Sequence, residues 1–210
     1  MSLISYKYYD EVIGLGRHCQ LAWYLRKRRL SEKRHIFDNM VSNNLNSVCN
    51  LIENEFNGFF DYSNIKKLEF NDWNSFTVKD ESTGITSFHD FSRDLDKESH
   101  QLFIEEKKIY INNLFDSIKH KDSLLFIRVN NYFEPLEQTI RLLEILRSLR
   151  KDKKFDLYVF QECDFVEKVI GIPNIFMFYD KKWDWNPEMQ WHGSIKMWDA
   201  IFNHVRIKFN

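Results

Sequence analysis

Glycine and proline are scarce in this chain, six and three among 210 residues, which leaves no composition for a low-complexity linker. No apolar run reaches the length of about eighteen residues that a membrane-spanning helix needs, so no membrane partner is expected. The opening residues, MSLISYKYYDEV, lack the basic-then-apolar layout of a signal peptide. Cysteine occurs three times, at positions 19, 49 and 163. That spacing matches no metal-ligand pattern, and an odd number leaves one thiol over in any pairing. The cysteines therefore read as reduced residues of a cytoplasmic protein with no metal or other cofactor. A net charge of −1 lacks the cationic excess of a nucleic-acid binder, and no nucleic acid is expected as a partner. The phosphate loop G-x-x-x-x-G-K-[ST] is absent, and no internal repeat is visible.

What remains is a chain long enough for one sizeable core and short for two, read as a single domain over 1–210. It is rich in aromatics, with nineteen Phe. Charge is uneven along it: residues 1–35 carry eight Lys/Arg against three acids, and residues 53–98 carry eleven acids against five bases. Two solvated faces account for this; the functional alternative is a basic mouth that attracts an anionic substrate. Hydrophobic spacing predicts a strand over 11–15 and helices over 18–29, 45–56 and 135–150. A long amphipathic helix is expected over 97–119, with Phe103, Ile111, Leu114, Phe115 and Ile118 as its buried stripe. SLLFIRVN, residues 123–130, is a continuous apolar run of the kind that suits a strand covered on both faces. FDLYVFQE and NIFMFYD predict two more strands, and a last helix is expected over 194–206. Residues 58–92 show no clear period apart from a turn at Ser82-Thr83-Gly84. Strands alternating with helices indicate an α/β fold, a mostly parallel, Rossmann-like sheet of about four or five strands flanked by helices.

In such sheets ligands lie beyond the carboxyl ends of the strands. That position singles out Cys19 after the first strand, Asn130 and Asn131 after the second, Glu162 and Cys163 after the third, and residues 180–185 after the fourth. Cys19 admits three readings. GLGRHC follows G-x-G-x-x-G only until its last position, where Cys replaces Gly, and EKRHIFDN does not supply the second strand of a dinucleotide fold. A single Cys is most often a small buried apolar residue, and Cys49 and Cys163 are read that way. A Cys at the first turn of a helix meets unpaired N–H groups and the positive dipole end, which favour a thiolate; the N–H groups near Arg17 to Gln20 would also stabilise an oxyanion. A thiol nucleophile needs a base and often a group that orients it. His89 in SFHDFS is the candidate base, with His192 in the tail as another; Asp90 and Asp38 are candidate orienters. Arg17, His18, Asn130, Trp185 and His192 are the candidate substrate-binding residues. The tail WDWNPEMQWHGSIKMW either covers the sheet edge or stacks on a sugar.

GLGRHCQLAWYLRKRRL, followed by IFDNMVSNN, resembles the opening of a bacterial domain family described as "putative papain-like cysteine peptidase", whose function is unknown. The family pattern is a strand, then Leu-Gly-x-x-Cys-x-x-Ala-x-x-Leu-Arg, then Pro-Phe-Asp-Trp. Leu15, Gly16, Cys19, Ala22, Leu25 and Arg26 match the first part and Phe37-Asp38 the second. Asn39 stands where the family has Trp, and Arg34-His35-Ile36 replaces its polar residue and Pro. Phe88-His89-Asp90-Phe91 is similar to the family's His-Asp-Phe motif, and LLFIRVN to its Leu-Phe-Val-Arg strand. The resemblance implies a cysteine peptidase, or a thiol hydrolase or transferase acting on an acyl, amide or ester bond. Cys19 would be its nucleophile, His89 its base and acid, and Asp90 or Asp38 the orienter. The substrate would be a peptide, an acyl compound or a small glycan-related molecule. Members are often found beside surface-glycan enzymes, so a non-catalytic or glycan-related binding module is the alternative. Neither reading fixes the oligomeric state.

Overall fold

The computed structural model describes residues 6–72, 74–91, 95–130, 134–161, 172–179, 198–199 and 202–208. In chain order its elements are β1 (Lys7–Tyr9), β2 (Glu11–Gly14), α1 (Gln20–Lys27), β3 (Met40–Val41), α2 (Leu45–Glu53), β4 (Ile65–Asn71) and β5 (Ser75–Asp80). There follow β6 (Thr86–Phe91), α3 (Lys97–His120), β7 (Ser123–Val129), α4 (Leu136–Arg150), β8 (Lys154–Gln161), β9 (Ile175–Tyr179) and β10 (Val205–Ile207).

The central sheet runs β2-β7-β8-β9 with every neighbouring pair parallel. Every residue of β7 is buried, and its side chains alternate between two cores, as the period of a strand requires. Leu124 and Phe126 join the core built with α2, α3 and α4; Leu125, Ile127 and Val129 join the core that holds Leu21, Tyr24 and Leu25 of α1. Helices thus cover both faces, which is why β7 reads as an unbroken apolar run. Strand order in this sheet equals chain order, so the described strands contain no reversal of the kind that opens a crevice at a topological switch point.

Helix limits follow local signals. Asp96 caps α3 by accepting from the Ser99 N–H (2.8 Å) while the Ser99 hydroxyl accepts from the Asp96 N–H (3.1 Å), a reciprocal box that satisfies two orphan donors. The Asn44 side chain caps α2 by accepting from the Asn46 N–H, and Arg26 and Lys27 lie in the last turn of α1, where cations suit the helix dipole. On α3, Phe103, Leu114 and Ile118 are buried as expected, Ile111 and Phe115 are partly buried, and Lys107 and Ser117 share the buried stripe. No described helix is long and apolar enough to cross a membrane.

Two expectations are corrected. The strands do not form one parallel sheet alone: a second four-stranded sheet, β3-β6-β5-β4, is antiparallel throughout, and β1 pairs with β10 in a separate parallel ribbon. The architecture is mixed α/β. Residues 58–92 concealed this because β4 is exposed along most of its length and register shifts interrupt both the β4–β5 and β5–β6 pairings; a bulge breaks the period of two on which strand reading depends. The second correction concerns the last helix. Trp198, Asp199 and Phe202 are helical, but Val205–Ile207 is a strand paired with Lys7–Tyr9. Three-residue strands carry too little pattern to be read from spacing.

Candidate functional site

The chain leaves β2 through Leu15-Gly16-Arg17-His18-Cys19 and enters α1. Gly16 (φ 82°) and Arg17 (φ 75°) are both left-handed, a conformation that costs a residue with a Cβ about 1–2 kcal/mol. Hydrogen bonds hold this reversal in place. Leu15 N–H donates to the Ile127 carbonyl (2.8 Å), Arg17 N–H to the Ser42 hydroxyl (3.2 Å), and Ser42 N–H to the Arg17 carbonyl (3.0 Å). A Cβ placed on Gly16 would lie 2.4 Å from the Ser42 hydroxyl oxygen. Gly16→Ala is therefore expected to destabilise the protein by about 3 kcal/mol, strain and overpacking together, read as a lower urea midpoint at unchanged slope.

Beneath the turn lies Arg128, fully buried near the end of β7. One terminal nitrogen of its guanidinium donates to the Leu15 carbonyl (3.0 Å) and the Ser42 hydroxyl (2.8 Å). The other donates to the Ser42 carbonyl (2.8 Å) and to Glu134 (2.9 Å), itself buried. This fork ties the β2–α1 turn, the residue after β3 and the approach to α4 to the central sheet. Arg17 reaches across the same edge, its guanidinium donating to the Asn130 carbonyl at 3.0 Å.

Cys19 occupies the N-cap position of α1, half-buried and with a free thiol, and its carbonyl accepts from the Trp23 N–H (3.0 Å). Burial pushes the thiol up from its ordinary value, more than its own N–H and Arg26 pull it down. The expectation that the helix start and nearby cations favour a resting thiolate is corrected accordingly, since desolvation outweighs them. The Arg17 N–H, engaged by Ser42, also drops out of the expected oxyanion donors; Gln20, Leu21 and Ala22 begin α1, where N–H groups have no partner within the helix. His18 is pushed down to about 4, first by burial and then by the charges of Arg17 and Arg128, so its imidazole is neutral near pH 7. Among the described residues no hydrogen bond joins the Cys19 thiol to a histidine.

His89 lies in β6, where it is half-buried and shifted below an ordinary histidine by burial, with Asp90 opposing that shift. Antiparallel pairing of Met40 with Ser87 and Val41 with Thr86 runs β6 past Ser87 in the direction of the turn over 36–39, which holds Asp38. The two candidate orienters have different surroundings. Asp90 is bound to the buried Lys107 of α3 at 2.8 Å and accepts from the Ser87 hydroxyl at 2.6 Å. Asp38 is buried beside the end of β2, its carboxylate accepting from the His35 N–H (3.1 Å) and lying 3.7 Å from Arg26 of α1. Burial pushes the Asp38 carboxyl up despite these partners. The turn is pinned further by the buried pair of His35 with Glu11 (2.9 Å), which also accepts from Ser117 (2.7 Å).

Of the expected substrate-binding residues, Arg17, His18 and Asn130 come together at the carboxyl edge of the sheet. Asn130 is buried and acts within the fold, donating through its side chain to Thr139 (3.1 Å). Trp185 and His192 lie outside the described residues, as do Asn131, Glu162, Cys163 and the rest of 180–185. Cys49 is fully buried in the core, as read from the sequence. Sequence reasoning missed Arg128, Glu134, Ser42 and Lys107. A signal existed for one of them: a guanidinium inside the apolar run SLLFIRVN demands a buried partner. Lys107, within EEKK, offers none. No group of three or more His, Cys, Asp or Glu among the described residues is placed to hold a metal ion.

A family model described as "Putative papain-like cysteine peptidase" matches residues 10–160, a span that includes Cys19, Asp38, His89 and Arg128. An uncharacterized protein of Acanthamoeba polyphaga mimivirus is 31% identical over 161 residues, which is 65% of this chain and 70% of that protein. The relative is viral, so this similarity gives no support to a bacterial source. No solved structure matches the chain.

Proposed function

We propose that this chain, which belongs to the "Putative papain-like cysteine peptidase" family, is a thiol-dependent hydrolase or acyl transferase with Cys19 as its nucleophile. The observation that carries this reading is the placement of Cys19: a half-buried free thiol at the start of α1, beyond the carboxyl end of β2, on a turn with two successive left-handed residues. Strain of this kind collects at functional sites. His89, on the antiparallel sheet, is the base. It takes the thiol proton as sulfur attacks the carbonyl carbon, and returns it to the leaving amine or alcohol as that C–N or C–O bond breaks; water then cleaves the thioester. Asp38 is the better orienter, because Asp90 is engaged by Lys107. N–H groups of the first turn of α1 face the developing oxyanion. Because burial holds the resting thiol in its protonated form, proton removal accompanies attack, and the pair tightens on the substrate as catalytic hydrogen bonds often do.

One observation favours the alternative of a binding module that keeps the fold without the chemistry: the upward shift of the Cys19 thiol. Acylation by p-nitrophenyl acetate, followed by mass spectrometry, separates the two. The expected result is acetyl-Cys19 forming at least about tenfold faster than in His89→Ala, since a positioned base contributes roughly 10²–10⁴-fold, with no label at that position in Cys19→Ala. Cys49 and Cys163 are the internal controls. Acetylation of Cys19 at the same rate with and without His89 would leave the binding module as the reading.

A further inference from the structure

We propose that Lys107 is a positioning residue for His89, holding through Asp90 the bulge of β6 that carries the imidazole. The proposal rests on the reading of Cys19 and His89 as the reacting pair. Between the pairs Val78–Ser87 and Phe76–Phe91, β5 spans two residues and β6 four, so β6 accommodates two extra residues within 88–90. Bulges re-aim side chains and are frequent beside active sites. This one is anchored on both flanks of His89. After it, Asp90 accepts from Lys107 (2.8 Å) and from the hydroxyl of Ser87 (2.6 Å), which precedes the bulge. Before it, the Phe88 carbonyl accepts from the Asn71 side-chain amide (2.7 Å) and from the Ser75 hydroxyl. His89 is the bulge residue between two tethered neighbours.

Lys107 stands on the buried stripe of α3 between Phe103 and Leu114, with 1% of its surface exposed. A Met would fill that place without the desolvation an ammonium incurs, so packing does not account for the lysine. Its ammonium meets Asp90 and the more exposed Glu106 (3.2 Å). The aromatic rings of Phe103 and Tyr110 lie 5.0 Å from it. The ion pair spans α3 and the bulge, two elements whose relative placement decides where the imidazole points.

The test uses the full chain and the neutral double variant Asp90→Asn/Lys107→Met, with the His89 ring followed by NMR titration. Removing the Asp90 charge alone would lower the His89 midpoint, because that charge raises it. Releasing the bulge to solvent would do the opposite, raising it toward the ordinary value of about 6.5. The expected result is a rise, with the wild-type midpoint restored in Lys107→Arg. A fall or no change overturns the proposal. If the double variant does not fold, Ser87→Ala removes one Asp90 anchor alone and is judged by the same direction of shift. Acylation supplies a second readout: the double variant should slow acetyl-Cys19 formation about tenfold or more, yet add no further loss in a His89→Ala background. Multiplying losses would mean that Lys107 acts elsewhere. Should His89→Ala by itself leave acylation unchanged, the reacting-pair reading fails, and the NMR titration still decides whether Lys107 positions His89.

Discussion

Arg128→Met is expected to lower stability by about 3–5 kcal/mol, the cost of breaking a buried ion pair from one side. For a chain of this size that is a fall in thermal midpoint on the order of 10 °C. The substitution takes the guanidinium from Glu134, a carboxylate buried nearly as deeply, and strips donors from the Leu15 carbonyl and from both the carbonyl and hydroxyl of Ser42. Calorimetry on the wild type, Arg128→Met, Glu134→Leu and the double variant separates these contributions. The double variant should recover part of the loss, because no buried charge then faces its missing partner, but not all of it, because the backbone acceptors remain. Loss confined to the Glu134 pairing, with full recovery in the double variant, would show that the bonds to Leu15 and Ser42 contribute nothing. Arg128→Lys should be almost as damaging as Met, since an ammonium cannot span acceptors that a planar fork reaches together.

Acid should weaken the protein through His18. Its imidazole is held at about 4 in the folded chain, against 6.5 when unfolded. Between those values the unfolded chain binds a proton that the folded chain excludes, so stability is fully present above about pH 6.5 and declines as pH falls toward 4. At roughly 1.4 kcal/mol per pH unit the decline is about 3 kcal/mol. Urea unfolding across this window should show the slope in the wild type and a much flatter profile in His18→Gln. The difference between the two proteins isolates His18 from Glu11, whose carboxyl burial would raise but which His35 and Ser117 hold below the ordinary range; its contribution is lost only at lower pH. Equal slopes in both proteins would mean that His18 is protonated without cost, and that Arg17 and Arg128 do not reach it electrostatically.

The same residues mark how far the sequence could be read. The places of α1, α2, α3 and α4, the apolar strand β7 and the arrival of Cys19 at a helix start follow from hydrophobic spacing and the Gly-x-Gly turn, although α1 and α2 end at Lys27 and Glu53, short of the 29 and 56 that spacing predicts. These are local determinants, settled within about a dozen neighbouring residues. The motif resemblance singles out Cys19, His89, Asp90 and Asp38 as candidates, and the family model spans all four. What spacing could not disclose was which carboxylate belongs to which cation. Asp90 adjoins His89 in the chain but is bound to Lys107, seventeen positions on, and Arg128 gathers Leu15, Ser42 and Glu134 from three different segments.

The sequence by itself determined the order and type of most elements, and it named the candidates on which the proposed thiol site rests. Tertiary structure alone decided the antiparallel pairing of β6 with β3 and β5, the bulge at 88–90, and the protonation of the site's groups. The physical reason is the range of the forces involved. Periodicity and capping act between near neighbours, whereas strand register, buried ion pairs and desolvation depend on which distant segments meet, and the pull of a helix start toward a thiolate is outweighed once partial burial desolvates Cys19.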